Sequence, residues 1–170
     1  TDFYMIEPDN GAKAPENKKT EVKVLYKNDA IYIAAKLYDE NPTAILKEIS
    51  PRDAFGTADH FGIYINGFND GQQDFRFFVS ASGVQIDCMS TEGFDDYGWD
   101  GIWDSEVQIT NYGWTVEMKI PYAAIRFSGE TKQTWGINFY REIKRDRQLF
   151  TWNLIDMKIG NALPQSGVLE

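Results

Sequence analysis

The chain has 170 residues, of which 42% are hydrophobic and 25% are charged, and these proportions exclude a disordered polypeptide. Its formal net charge of −9 argues against nucleic acid and against an anionic membrane surface as partners, because both attract positive charge. The length fits one domain with a two-layer core, so residues 1–170 are predicted to form a single domain. Aromatic residues make up 15% of the chain, enough for a sheet core and for a binding surface.

Both ends of the chain have features that are typical of a fragment of a longer protein. It begins at Thr1 without a methionine and ends in the strand-like sequence "SGVLE". No signal peptide opens it, and no apolar run approaches the roughly 18 residues of a membrane span. We therefore expect a fragment of a longer protein, with no membrane insertion by this segment.

The first elements are two alternating runs, "EVKVLYK" and "IYIAAKLYD", which flank the short turn "NDA". Alternation with a period of two across a tight polar turn predicts a β-hairpin. Its second strand presents Ile31, Ile33, Ala35 and Leu37 on one face. The following "PTAILKEIS" has room for one or two helical turns, and "SPRDAFGTAD" is typical of a loop.

Three further strands are predicted from "DHFGIYING", "DFRFFVS" and "VQIDCMS". Short turns join them, so they are expected to form an antiparallel meander. The outward side of its first two strands would carry His60, Gly62, Tyr64, Arg76 and Phe78. Cys88, the single cysteine, cannot form an internal disulfide and is expected to be a small hydrophobic strand residue.

The last elements follow the acidic, aromatic stretch "DDYGWDGIWDSE". A second hairpin is predicted from "VQIT" and "WTVEMKIP", with Pro121 ending it because proline cannot donate to a strand ladder. The segments "WGINFYR", "QLFTWNL" and "GVLE" continue the strand pattern. No long amphipathic helix is visible, so the predicted fold class is all-β, a two-sheet antiparallel β-sandwich.

The stretch "DDYGWDGIWDSE" raises the possibility of a calcium site. An EF-hand loop needs oxygen ligands at its first, third and fifth positions and a glutamate at its twelfth, and neither register of this stretch supplies them. A looser cation site could use Asp95, Asp96 and Asp100. The competing interpretation is an ordinary loop that enters a strand, with Trp103 as a core anchor.

Catalysis has little support in the sequence. His60 is the single histidine, so a Ser/His/Asp or Cys/His arrangement must include it, and its position at the start of a strand is typical of a satisfied or exposed histidine. Carboxylates are too abundant for any pair to indicate a glycosidase. We therefore expect a protein that is not an enzyme.

An aromatic binding face has better support. Sugar receptors combine flat aromatic side chains with groups that form several hydrogen bonds. Tyr64 and Arg76 would be joined by Asn138 and Tyr140 if their strands share one sheet, and Trp99, in a glycine-flanked loop, could overhang that face. The alternative is that these residues pack against a loop or a neighbouring domain.

Four segments together resemble the domain related to family 9 carbohydrate-binding modules, within the DOMON-like superfamily: "TEVKVLYKNDAIYIAAKLYDENP", "DHFGIYINGFNDGQQDFRFFVSASGVQID", "GWTVEMKIPYAAIRF" and "WGINFYREIKR". The resemblance implies a jelly-roll-like β-sandwich. It also implies binding of sugar chain ends, structural calcium, and attachment to xylanases and other polysaccharide-degrading enzymes. Relatives of this variant usually open a longer bacterial envelope protein, followed by a large C-terminal domain.

The resemblance can be carried over only at matching positions. The sugar-binding modules use two tryptophans, a glutamate and an arginine, and Arg76 matches the arginine. Gly62 stands at the position of the glutamate. Phe55 is a possible substitute for the first tryptophan, and the second would fall near "DMKIGNA", which has no aromatic residue.

These observations predict a non-catalytic carbohydrate-binding module of a secreted or cell-envelope protein. Its partner would be an oligo- or polysaccharide, contacted by Phe55, Tyr64, Arg76, Trp99, Asn138 and Tyr140. The alternative is a structural or protein-interaction domain of an outer-membrane-associated protein that has lost sugar binding. A third class, a haem-binding sandwich, would need His60 and Met118 as iron ligands, although strand alternation places them on opposite faces.

Overall fold

The computed structural model describes residues 2–170, which form two antiparallel β-sheets. The strands in chain order are β1 Tyr4–Glu7, β2 Thr20–Tyr26, β3 Ala30–Tyr38, β4 His60–Asn66, β5 Gln73–Ser80, β6 Gln85–Thr91, β7 Phe94–Asp96, β8 Asp104–Thr110, β9 Gly113–Pro121, β10 Trp135–Ile143, β11 Gln148–Thr151 and β12 Gly167–Leu169. The larger sheet has the order β1-β11-β10-β4-β5-β6-β7, with β12 also paired to β10, and the smaller sheet has the order β2-β3-β9-β8. The predicted all-β, two-sheet sandwich is confirmed.

The core lies between the two sheets and follows the alternation of the sequence. The larger sheet contributes buried side chains from alternate positions of β4 and β5, namely Phe61, Ile63, Ile65, Phe75, Phe77 and Val79. The smaller sheet contributes those of β3 and β9, namely Ile31, Ile33, Ala35, Leu37, Trp114, Val116, Met118 and Ile120. Burial of alternate apolar side chains drives both sheets to face each other, since apolar area removed from water stabilises by about 25 cal/mol per Å².

Strand β10 decides what the outer side of the larger sheet contains. It pairs with β4, which sets Asn138 opposite Tyr64 and Tyr140 opposite Gly62. On its other side β4 pairs with β5, which sets Tyr64 opposite Arg76. The predicted binding face required that β4, β5 and β10 share one sheet. They do, and their alternate residues point to one side of it.

Several predicted elements differ in detail. Two short strands, β1 and β7, were missed, and β7 occupies part of the stretch predicted as a loop. The possible helix after β3 is a single 3₁₀ turn, Pro42–Ala44. Trp103 precedes β8 and lies in the core, which confirms the anchor interpretation. Between residues 2 and 170 no helix is long and apolar enough to cross a membrane.

Candidate functional site

The outer side of the larger sheet carries an aromatic cluster, which we call the outward face. It comprises the outward side chains of β4, β5, β6 and β10 together with Phe55, which reaches it from the preceding loop. Its members pack edge to face or stacked: Tyr64 with Tyr140 at a centroid distance of 6.1 Å, Phe78 with Tyr140 at 5.3 Å, and Phe55 with Phe78 at 5.1 Å. The face is therefore aromatic in the way that the sequence predicted.

Arg76 is the charged centre of the outward face. Its guanidinium lies 4.5 Å from the centroid of the Tyr64 ring, a cation–π distance. Its Nε donates to Asp74 at 2.8 Å, and its Nη1 donates to both carboxylate oxygens of Asp95 at 3.0 Å. Burial lowers the pKa of Arg76, but the negative charges of Asp74 and Asp95 outweigh this and raise it. The arginine is thus fixed and charged, with 11% of its side chain exposed.

Asn138 and Tyr140 are held by neighbours of their own chain. The Asn138 amide nitrogen donates to the Asn153 carbonyl at 2.9 Å, and its side-chain oxygen accepts from the backbone N–H of Asn153 at 2.9 Å. The Tyr140 hydroxyl donates to Glu142 at 3.1 Å. Since Asn138 is 1% exposed, it positions the chain after β11 and offers a ligand no free group.

Phe55 and His60 meet where the loop before β4 crosses the face. The Phe55 ring lies 5.0 Å from His60 and 6.0 Å from Tyr97, both edge to face. His60 is fully buried, and within the described chain its ring nitrogens make no hydrogen bond of good geometry; the nearest polar groups are the Phe55 backbone and the Glu142 carboxylate, 4.0 Å from Nδ1. Burial, assisted by the charge of Lys144, lowers the pKa of His60 to about 4. The expectation of a satisfied or exposed histidine is therefore wrong. Met118 lies in the core, away from His60, so the two do not form a pair of haem ligands.

Trp99 does not belong to the outward face. Its ring packs on Phe75 at 5.1 Å and on Phe77 at 5.8 Å, and both of these point into the core side of the sheet. Arg76, between them in sequence, points to the opposite side because strand residues alternate. The expectation that Trp99 overhangs the binding face is therefore wrong, and Tyr97, two residues earlier, is the ring that reaches the outward face through its contact with Phe55.

The three carboxylates predicted for a cation do not come together. Asp95 pairs with Arg76, and Asp96 accepts the backbone N–H of Gly98 at 2.9 Å. Asp100 instead joins Asp53 and Asp87 in the group of carboxylates within residues 2–170 whose oxygens converge to within 4.8 Å. The grouping of Asp95, Asp96 and Asp100 as one site is thus wrong.

A guanidinium already occupies the converging carboxylate group. Arg52 contacts Asp87 at 2.5 Å, Asp53 at 3.4 Å and Asp100 at 3.6 Å. The buried Asp87 also accepts the Gly101 N–H and the Trp103 Nε1–H, each at 2.9 Å. Because these donors supply the positive charge and hydrogen bonds that calcium would supply, the arrangement does not fit the ion.

Gly62 lies under the ring of Phe78 across the β4–β5 pair. A Cβ atom at Gly62 would collide with the Phe78 ring and would stand 2.9 Å from the carbonyl oxygen of Phe77. The residue type at the position of the family's glutamate is therefore set by an aromatic neighbour that fills the space.

The comparisons with known proteins agree with this fold. Residues 4–151 match the family described as carbohydrate family 9 binding domain-like. The chain belongs to this family. No curated protein sequence matches it.

Three solved structures share this fold. A family 9 carbohydrate-binding module from Caldicellulosiruptor kristjanssonii in complex with cellotriose is 17% identical, with a TM-score of 0.62 over 92% of this chain and 76% of that one. The same source gives a complex with glucose, at 18% identity and a TM-score of 0.60 over 92% and 78%. A putative carbohydrate-binding protein from Bacteroides uniformis ATCC 8492 is 12% identical, with a TM-score of 0.65 over 90% and 77%.

Arg76, Gly62 and Phe55, the residues that the sequence analysis compared with the family's sugar-binding residues, lie together on the outward face. Sequence reasoning missed the acidic partners that hold the face, Asp74 and Glu142. A signal for both existed, because each stands two residues from a predicted face residue and so points to the same side of its strand. Asp95 gave no such signal, since it stands on β7, a strand that was not predicted.

Proposed function

We propose that the chain is a non-catalytic module that recognises an oligo- or polysaccharide through its outward face. The observation that carries the proposal is membership of a family of carbohydrate-binding modules across residues 4–151. The family 9 relatives are seen with glucose and cellotriose, so β-glucosidic sugars are the first ligands to try.

The outward face has the chemistry for this role. Phe55, Tyr64 and Tyr140 offer aromatic surface to the apolar face of a pyranose ring. Two carboxylates, those of Asp74 and Asp95, hold the Arg76 guanidinium in a fixed orientation. Its side chain therefore loses little conformational entropy when a sugar binds.

A second function has its own observation in favour. The polar groups of the outward face form their hydrogen bonds within the chain, as seen for Arg76, Asn138 and the Tyr140 hydroxyl. Polar groups that are satisfied in this way are typical of a structural surface. A structural or protein-interaction domain that has lost sugar binding is therefore the alternative.

The setting of the module rests on the resemblance alone. We propose a secreted or cell-envelope location, continuity with a larger C-terminal domain, and possible partnership with a polysaccharide-degrading enzyme such as a xylanase. The domain limits of 1–170, which follow from the length of the chain, and structural calcium, which the resemblance implies, stay predictions.

The first test is calorimetric titration of glucose and cellotriose, preceded by a glycan array of plant and bacterial polysaccharides. Binding is expected to weaken about fivefold in Phe55→Ala, since one aromatic contact is worth about 1 kcal/mol. Lys132→Ala, whose side chain is exposed and pairs with Glu170, serves as a matched control. Absence of binding to every glycan would reject the proposal in favour of the structural alternative.

A further inference from the structure

A cleft opens on the core side of the larger sheet, away from the outward face. Its volume is about 470 Å³, enough for a pyranose unit. One wall is Trp99 with Phe75, and the other is the turn after β9, at Pro121 and Ala124. Asp100 and Arg126 complete its lining.

Trp99 is held in a fixed position in this cleft. Besides its contacts with Phe75 and Phe77, its ring lies against Gly101, where a Cβ atom would come within 2.9 Å of Cη2. Gly101 in turn is tied to the buried carboxylate of Asp87 through its backbone N–H. An aromatic surface fixed in advance loses little side-chain entropy when a ligand stacks on it.

The polar groups of the cleft are free, unlike those of the outward face. Among the residues that the structure describes, the guanidinium of Arg126 has neither an ion pair nor a hydrogen bond, and the indole Nε1 of Trp99 has no acceptor. Asp100 is 71% exposed, and its contact with Arg52 is a long one, at 3.6 Å. Two donors and one acceptor are therefore available to a ligand, and the side chains of Arg126 and Asp100 can turn toward it.

This combination matches a sugar ring. The apolar C–H face of a pyranose can lie on the indole, while a guanidinium and a carboxylate each bind neighbouring hydroxyl groups in a bidentate way. We propose that the Trp99 cleft is a second carbohydrate-contacting site, which takes one pyranose unit between Trp99 and Arg126. The inference rests on the proposed function, since it assumes that the module binds carbohydrate.

The test follows the five tryptophan side chains by NMR of the ¹⁵N-labelled chain. Glucose, cellotriose and a set of methyl pyranosides are added in turn, and Trp99→Phe identifies the Trp99 indole signal. We expect that signal to shift in a saturable way. The indoles of Trp103 and Trp135, bonded to Asp87 and Gln133, are internal controls and should stay in place.

Arg126→Ala is the matching variant, because its exposed side chain has no partner to leave unpaired. It should raise the dissociation constant, as measured from the Trp99 signal, about tenfold, because one charge-assisted hydrogen bond to the sugar is lost. Phe55→Ala, on the other side of the sheet, should leave that constant unchanged.

The outcomes separate the two proposals. If a sugar binds and Phe55→Ala weakens it while the Trp99 signal never moves, the second site is rejected and the proposed function stands. If the Trp99 signal responds and Phe55→Ala has no effect on any binding, the cleft is the sugar site and the outward face is not. If no sugar moves any tryptophan signal and calorimetry detects no binding to the native chain, both proposals are rejected.

Discussion

Two neighbouring residues, Asp59 and His60, show how burial sets charge in this domain. Both are buried, at the point where the loop before β4 enters the larger sheet. Burial raises the pKa of Asp59 to about 6, against a backbone hydrogen bond from Lys144 that lowers it. Burial also lowers the pKa of His60 to about 4. In each group burial disfavours the charged form, and the effects of the two groups on stability have opposite dependence on pH.

The first prediction concerns Asp59→Asn, which keeps the hydrogen bond from Lys144 and removes the ionisation. An acid with a raised pKa stabilises the fold below its ordinary pKa of 3.8 and loses that contribution as the pH rises through about 6. The free energy of unfolding of the native chain, relative to the variant, should fall by about 3 kcal/mol over this range. Urea titrations at several pH values measure it, and parallel curves for the two proteins would contradict it.

His60→Gln should give the opposite sign. A base with a lowered pKa is fully compatible with the fold above its ordinary pKa of 6.5, and it destabilises as the pH falls toward about 4. The native chain should therefore gain stability relative to this variant as the pH rises from about 4 to about 6.5. The groups facing His60 are Glu142 and Lys144, so both should be kept unchanged.

At the scale of elements, Arg141 links the two sheets. It stands on the inward side of β10 and is fully buried. Its Nη1 donates to the carbonyl oxygens of Lys18 at 2.6 Å and Lys19 at 3.1 Å, and its Nη2 donates to that of Tyr38 at 2.7 Å. The acceptors lie just before β2 and at the end of β3. The side chain of Arg141, which belongs to the larger sheet, therefore holds the neighbouring ends of these two strands of the smaller sheet.

Arg141→Met should therefore lower the free energy of unfolding by about 3 kcal/mol, because the carbonyl oxygens of Lys18 and Tyr38 and the hydroxyl of the buried Thr20 lose the donor that Arg141 supplies. Arg141→Lys is the control for charge without the planar fork, and it should recover part of the loss. Thermal and urea unfolding measure both. Equal stability of the methionine variant and the native chain would reject this role.

The loops around the larger sheet depend on a second arginine. Arg52 joins Asp87 to the loop that carries Phe55, and Asp87 holds the loop that carries Trp99. Arg52→Ala should lower the melting temperature by several degrees, because the buried Asp87 carboxylate loses its counter-charge. Asp100→Asn, at an exposed position, should have little effect on the melting temperature.

In the native chain, calcium chloride or EDTA should leave the melting temperature unchanged. A melting temperature that rises with calcium would support the structural calcium that the resemblance implies.

For the whole molecule, the sequence predicted what depends on local period. Alternation placed the core faces of β3, β4, β5 and β9 correctly, and it placed Tyr64, Arg76 and Tyr140 on one side of their strands. It could not predict that β10 pairs with β4, because strands about seventy residues apart carry no local mark of their pairing.

The missed features share a physical cause. Strands β1 and β7 have four and three residues, too few for a periodic signal. The side on which Trp99 lies depends on the path of a loop, which alternation does not describe. Asp100 faces Asp53 and Asp87 for the same reason, since loops bring together residues that are far apart along the chain.

Gly62 and Phe78 constrain each other's residue type, which limits both natural substitution and design at these positions. Because the Phe78 ring fills the space above Gly62, any side chain introduced at position 62 meets that ring first. The two positions are coupled: an acidic residue at 62 needs a small residue at 78 and also a shift of β5 that moves the Phe77 carbonyl oxygen away, while a small residue at 78 alone leaves a void in the aromatic cluster. A design that places a glutamate at this position must therefore change both residues and let the backbone of β5 move.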